Sequence, residues 1–147
     1  MPRFRLETAL KVRERLEKLY QKALAEQVQI QQQLRDQKKM METALDAHRR
    51  DLNAARRTGF TIAQMQMSDQ FRERMTDKME KTENQLLEQE EVIELKRQEL
   101  TRATQKKRVL EILKEKQKQR FLEEMERQER QEADEIAQGL HRYPVNS

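Results

Sequence analysis

Between Pro2 and Gly139 this chain has one glycine, Gly59, and no proline. Glycine and proline are the residues that let a backbone turn tightly. A compact α/β enzyme needs many such turns. A sandwich or barrel needs a turn signal every ~8–12 residues. Neither can be built from one internal punctuator. What fills the long stretches is Ala, Leu, Glu, Lys, Gln, Arg and Met, the residues that lose least on entering a helix.

Charged residues make up 39% of the 147, with 31 Lys and Arg against 27 Asp and Glu, while aromatics are only 4%. High charge with low hydrophobicity is also the composition of disorder. Two features argue for helix instead: the net charge is only +4, and the apolar residues are periodic. No run of ~18 apolar residues offers a membrane span, and residues 1–20 alternate charge with Leu and lack the apolar core of a secretory signal. The absence of cysteine excludes disulfides, thiolate nucleophiles and cysteine-based zinc sites, and it fits a reducing, cytoplasmic setting.

On the first arm Leu6, Ala9, Leu16, Tyr20, Ala23, Ile30, Leu34, Met41, Leu45, Leu52 and Ala55 recur at steps of three and four or their sums. That spacing marks one face of a helix, narrow enough to be a coiled-coil seam. Arg13, Gln27, Gln37 and His48 interrupt it, and the steps around Met41–Leu45 depart from a strict 3.5-residue repeat. The second arm carries Met65, Phe71, Met75, Met79, Leu86, Ile93, Leu100, Ala103, Leu110, Leu113 and Phe121.

Between the arms stands a stop and a start. Arg56 and Arg57 complement the negative end of a helix dipole. Gly59 suits the left-handed position after a helix. Thr61 and Gln64 then form the first and last residues of a capping box. The sequence therefore predicts an all-α fold: an antiparallel two-helix coiled-coil hairpin, the second helix longer than the first. The expected organisation of residues 1–147 is a single coiled-coil domain. Its parts are a helix at about 6–57, a turn at 58–61, a helix at about 62–138 and a flexible tail at 139–147.

Folding back at Gly59 pairs Leu52 with the region of Met67, Met41 with that of Met79 and Leu6 with that of Leu113. The second arm from Lys114 onward has no partner in the chain. Apart from Phe121, Leu122, Met125 and Ile136 it is nearly free of large apolar residues, so it reads as an exposed helix.

No catalytic constellation is present, and the chain is not expected to be an enzyme. Two distant glycines cannot form a phosphate-binding loop. His48 and His141 have no companions at metal-ligand spacing, so no metal or cofactor is expected. The paired carboxylates Glu123/Glu124 and Asp134/Glu135 sit where no pocket can perturb their pKa values. The methionines Met40, Met41, Met65, Met67, Met75 and Met79 cluster on both sides of the turn; they serve as seam filler or as an adaptable binding surface.

Charge is uneven. Residues 102–120 hold eight basic side chains against two acidic ones, and residues 122–135 hold seven acidic against two basic. A basic helix invites a nucleic-acid reading, but the acidic run beside it would repel phosphate and no aromatics interleave. No nucleic-acid partner is expected. The remaining readings are a salt-bridged solvated face and a protein partner of complementary charge.

The opening Phe4-x-Leu6…Leu10…Arg13…Glu17 resembles the start of the flagellar export protein FliJ family. So do the loop Gly59-Phe60-Thr61 with Phe71 beyond it, the basic segment Lys107–Gln117, and the ordered tail Arg120-Phe121-Leu122-Glu123-Glu124, Arg127-x-Glu129-Arg130, Asp134-Glu135-Ile136-Ala137. The resemblance implies a long antiparallel coiled coil of the bacterial flagellar type III export apparatus, similar in shape to the gamma subunit of rotary ATP synthases. Its implied partners are the hexameric export ATPase, whose pore receives the end where the termini meet, the cytoplasmic domain of the membrane export gate, and export chaperones. It further implies a cytoplasmic protein, monomeric when free and peripherally associated with the inner membrane at the flagellar base.

Carried over by position, the implied gate contacts are Gln37, Met41, Ala44, His48, Phe71, Met75, Lys78 and Thr82, several of which also fall on the expected seam. The candidates for ring contact are Arg108, Lys114, Lys116, Lys118 and Arg120. Two alternatives stay open: a structural coiled-coil dimer in which Gly59 is only a break, and the equivalent stalk of a virulence secretion system.

Overall fold

In a computed structural model the chain forms two helices, α1 (Pro2–Thr58) and α2 (Ile62–Arg142). They are 57 and 81 residues long, and no strand occurs among the described residues. The structure describes the backbone of residues 2–142 and the side chains of 5–140. The two helices form a hairpin, packed against each other.

The turn follows from its residues. Gly59 has φ +80°, the left-handed conformation that L side chains adopt only under strain, and it ends α1 beside Arg56 and Arg57. The start of α2 is the capping box that Thr61 and Gln64 announce. The Thr61 amide donates to Gln64 Oε1 at 2.9 Å, and the Gln64 amide donates to Thr61 Oγ1 at 3.2 Å. Two of the helix's orphan donors are thereby satisfied reciprocally.

The packing divides into two units: one of Met1–Glu17 with Ala103–Ser147, the other of Lys18–Arg102. In the second unit the partly buried stripe of α1 runs Tyr20, Leu24, Gln27, Gln31, Leu34, Lys38, Met41, Leu45, His48, Leu52 and Ala55, with the small side chains of Ala23 and Ala44 partly buried beside it. The stripe alternates steps of four and three without a break, which is the seven-residue repeat of a coiled coil. On α2 the facing stripe runs Ser68, Phe71, Met75, Met79, Thr82, Leu86, Gln89, Ile93, Lys96 and Leu100. Its 3-4-4 opening is one eleven-residue step before the heptads resume. Ile93 is the most buried apolar side chain of the unit. Polar layers cross it: Gln89 Nε2 donates to the Gln27 carbonyl at 2.9 Å and to Gln27 Oε1 at 2.8 Å, and Lys38 pairs with Glu83 at 3.4 Å.

In the first unit α1 places Leu6, Leu10, Arg13 and Glu17 inward, and α2 places Ala103, Lys107, Leu110 and Glu111 inward. Leu10 and Ala103 are its buried apolar residues.

Several expectations are corrected. The buried stripe of α1 is a strict heptad in the second unit, and it passes through Gln31 and Lys38 while the neighbouring Ile30 and Gln37 are exposed. In the first unit Leu10, not Ala9, lies inward. A supercoiled pair keeps its seam at 3.5 residues per turn and accepts polar side chains there rather than bending to reach the adjacent apolar one. On α2, Met65, Leu113 and Phe121 are about half exposed and stand off the seam. α2 also runs four residues past Gln138. Gly139 has no positive φ and stays helical, because a glycine inside a helix costs only about 1 kcal/mol against Ala. Of the expected flexible tail, 139–142 are therefore helix, and 143–147 lie outside the described residues.

Candidate functional site: the two ends of the helix pair

In the first unit a charged cluster interrupts the apolar seam. Lys107 Nζ donates to Glu17 Oε1 at 2.9 Å and lies 3.7 Å from Glu111 Oε1. Glu17 and Lys107 keep only 13% and 23% of their side-chain surface exposed. The Lys107 ammonium, through its hydrogen bond, holds the Glu17 carboxyl below the usual carboxylate range, against the opposing effect of burial. Glu17 in turn raises Lys107 above the usual lysine value. The second carboxylate oxygen, Glu17 Oε2, is buried without a bonding partner. Taking both charges partly out of water costs desolvation, and the unbonded oxygen adds to that cost, so the pair stabilises less than its 2.9 Å contact alone suggests.

Beside this cluster lies an open groove of about 660 Å³, whose walls include Leu6, Leu10, Lys114, Lys118 and Phe121. From there α2 continues as helix, yet every residue from Ile112 to Gln138 is exposed. The ring-contact candidates divide here. Arg108 is exposed and tied to Glu111 at 3.1 Å, whereas Lys114, Lys116, Lys118 and Arg120 are exposed with no ion pair among the described residues. The structure thus presents four unpaired cations on one stretch of helix.

The other candidates lie in the second unit. His48 Nε2 and Ser68 Oγ are 2.7 Å apart in a hydrogen bond whose direction follows the imidazole tautomer. The His48 ring stacks obliquely on Phe71, with centroids 4.7 Å apart. Met41, Ala44 and Met75 are half-buried on the same seam. Thr82 is 4% exposed, and its hydroxyl donates to the Lys78 carbonyl at 2.9 Å. Of the eight carried-over gate positions, only Gln37 and Lys78 are exposed; the others pack between the helices. Sequence reasoning had no sign of the Gln27–Gln89 or Glu17–Lys107 layers as contacts, because a polar residue at a seam position does not announce its partner on the other helix. Nor do the methionines act alike: Met40, Met65 and Met67 are exposed, while Met41, Met75 and Met79 pack.

The family profile described as "Flagellar FliJ protein" matches residues 2–144 of the 147. The chain belongs to the FliJ family. It is accordingly a protein associated with flagellar type III export, a component of the export apparatus. No curated protein and no solved structure matches the chain at a significant level. Among the described residues no helix of this FliJ-type chain is long and apolar enough to cross a membrane, and no group of three or more His, Asp or Glu side chains could hold a metal ion.

Proposed function

We propose that this FliJ-type chain is the stalk of the flagellar export apparatus, docking its α2 end in the hexameric export ATPase and linking that ring to the cytoplasmic domain of the membrane export gate. In this reading it works as a single chain in the cytoplasm, held at the inner membrane at the flagellar base through its partners, and it also handles export chaperones. The observation that supports ring docking is the exposed helix from Ile112 to Gln138. A helix that stays exposed over 27 residues leaves most of its surface open to another protein. Lys114, Lys116, Lys118 and Arg120 are the cations it offers, with Arg108 at the edge of the packed region.

For the gate, Gln37 and Lys78 are the side chains that reach solvent. Met41, Ala44, His48, Phe71, Met75 and Thr82 act by holding the two helices that present them.

The test is a chain ending at Leu113. It keeps the turn, the Gln27–Gln89 layer and the Glu17–Lys107 pair, and loses the exposed helix. The expected result is a thermal transition close to that of the full chain with no detectable binding to the export ATPase. Undiminished ATPase binding by the shortened chain would overturn the docking assignment.

A further inference from the structure

We infer that the turn end of the second unit is a membrane-surface contact: one flank of the helix pair, formed by Arg49, Arg56 and Arg57 with Ile62 and Met65, docks on anionic lipid headgroups. The inference goes beyond the stalk reading, in which partners hold the chain at the membrane, and does not rest on it.

The flank follows from helical geometry. Lys38 and Glu83 meet across the pair at 3.4 Å, which marks one side of the seam on both helices. Arg49 and Arg56 lie 11 and 18 residues after Lys38, close to whole numbers of turns at ~3.6 residues each. Arg72 and Met65 lie 11 and 18 residues before Glu83, again close to whole turns. All four therefore stand on the side of the Lys38–Glu83 pair. Arg57 follows Arg56 one step farther round, away from α2, and Ile62 stands within one turn of Met65 on the outer side. Met67, also exposed, falls nearly half a turn from this line and belongs to the other flank.

Charge and exposure single out this side. Between Asp46 and Asp69 the only acidic residue is Asp51, 13 residues after Lys38 and so well over half a turn out of line with it. Asp69 itself is taken by Arg72 at 3.5 Å. Arg49, Arg56 and Arg57 are exposed with no ion pair among the described residues. The first turn of α2 has no acidic residue, although the helix dipole favours one there. It presents Ile62 and Met65 instead, 76% and 49% exposed.

Guanidinium groups bind phosphate oxygens with two parallel hydrogen bonds, while their stems lie along apolar surface. Bulky apolar side chains among unpaired arginines match a boundary that is anionic at its surface and hydrocarbon beneath. A single-stranded nucleic acid would be held by aromatic rings stacked on its bases, and none of the five residues is aromatic.

Flotation of the full chain with lipid vesicles tests the inference. The chain is expected to float with vesicles of phosphatidylglycerol mixed with phosphatidylcholine, and not with phosphatidylcholine alone. It is expected to release at about 1 M salt, where the Debye length is ~3 Å. R49Q/R56Q/R57Q should bind at least ~10-fold more weakly with an unchanged thermal transition. K114Q/K116Q/K118Q removes as many cations from the other unit, where an acidic run follows them, and should keep its vesicle binding. Equal loss from both variants, or no binding by the native chain, would overturn the inference.

A second readout leaves the arginines in place. The native chain has no tryptophan, so I62W reports on the flank alone. Its emission should shift to the blue on the anionic vesicles, while that of L95W, exposed elsewhere in the same unit, should not. Equal shifts at both positions would contradict the assignment. A chain that binds poly-glutamate while I62W stays unshifted on vesicles would give the arginines to an acidic protein partner, and would overturn it as well.

Discussion

Replacing Glu17 by Gln removes the charge that Lys107 neutralises, and pH separates this effect from simple loss of packing. Glu17 has a depressed pKa in the folded chain. Its contribution is full above the ordinary glutamate value and is lost as pH falls through the folded one. Lys107 has a raised pKa, so its contribution is full below the ordinary lysine value and is lost as pH rises through the folded one. The native chain should therefore lose thermal stability at both extremes relative to Glu17→Gln, and the difference should vanish in acid. A constant offset between the two melting curves from neutral to acid pH would contradict this.

Burial sets a second contrast. Ile93 is 3% exposed and Leu95 59%, two residues apart on the same helix. Ile93→Ala should cost about 2–4 kcal/mol in urea unfolding and Leu95→Ala under ~0.5. The spacing puts Ile93 on the α2 stripe with Leu86 and Leu100, and Leu95 two residues off it. At this scale the large aliphatic positions such as Leu34, Leu45 and Leu86 were legible from spacing. Gln31, Lys38 and Gln89 were not, because a polar seam residue looks like a surface one until its neighbour across the pair is known.

The two glycines separate what punctuates a helix from what a helix merely tolerates. Gly59 holds φ +80° with open space around it, so Gly59→Ala should destabilise by about 1 kcal/mol through backbone strain alone. Gly139 is helical with nothing within 4 Å of an added Cβ, so Gly139→Ala should be neutral or stabilising by up to ~1 kcal/mol. Thermal unfolding of the two variants side by side checks both signs, and equal shifts would contradict the assignment. Thr61→Ala should cost ~1 kcal/mol by freeing the Gln64 amide.

At the scale of elements the turn was the most legible part of the chain. Arginines, glycine and capping box stand within nine residues, each serving the local backbone. The far end of α2 was less so: Gly139 and Pro144 read as a stop, yet the helix passes Gly139, since a glycine ends a helix only where something favours its left-handed conformation.

For the whole molecule, one glycine between two long helical stripes is enough to dictate a hairpin whose second helix is the longer. Local turn chemistry and hydrophobic period agree on that answer. Register was less legible, because a stripe of threes and fours fits several alignments, and polar layers such as Gln27–Gln89 choose among them. The candidate site was half legible. The run of basic and acidic residues on α2 is visible in the sequence, and so are the seam positions of His48, Phe71 and Met75, but the burial of Thr82 between the helices is not. Membership of the FliJ family places the chain in flagellar export. The stalk proposed for it rests on the exposed helix after Glu111 docking in the ATPase.

Amide hydrogen exchange of the full chain, free and with the flagellar export ATPase, tests that most directly. Free, the amides of 114–138 should exchange fast and those around Ile93 slowly, since stability concentrates where side chains are buried. With the ATPase, new protection should appear over 114–138. Unchanged exchange across that segment, with protection arising elsewhere or nowhere, would contradict the account.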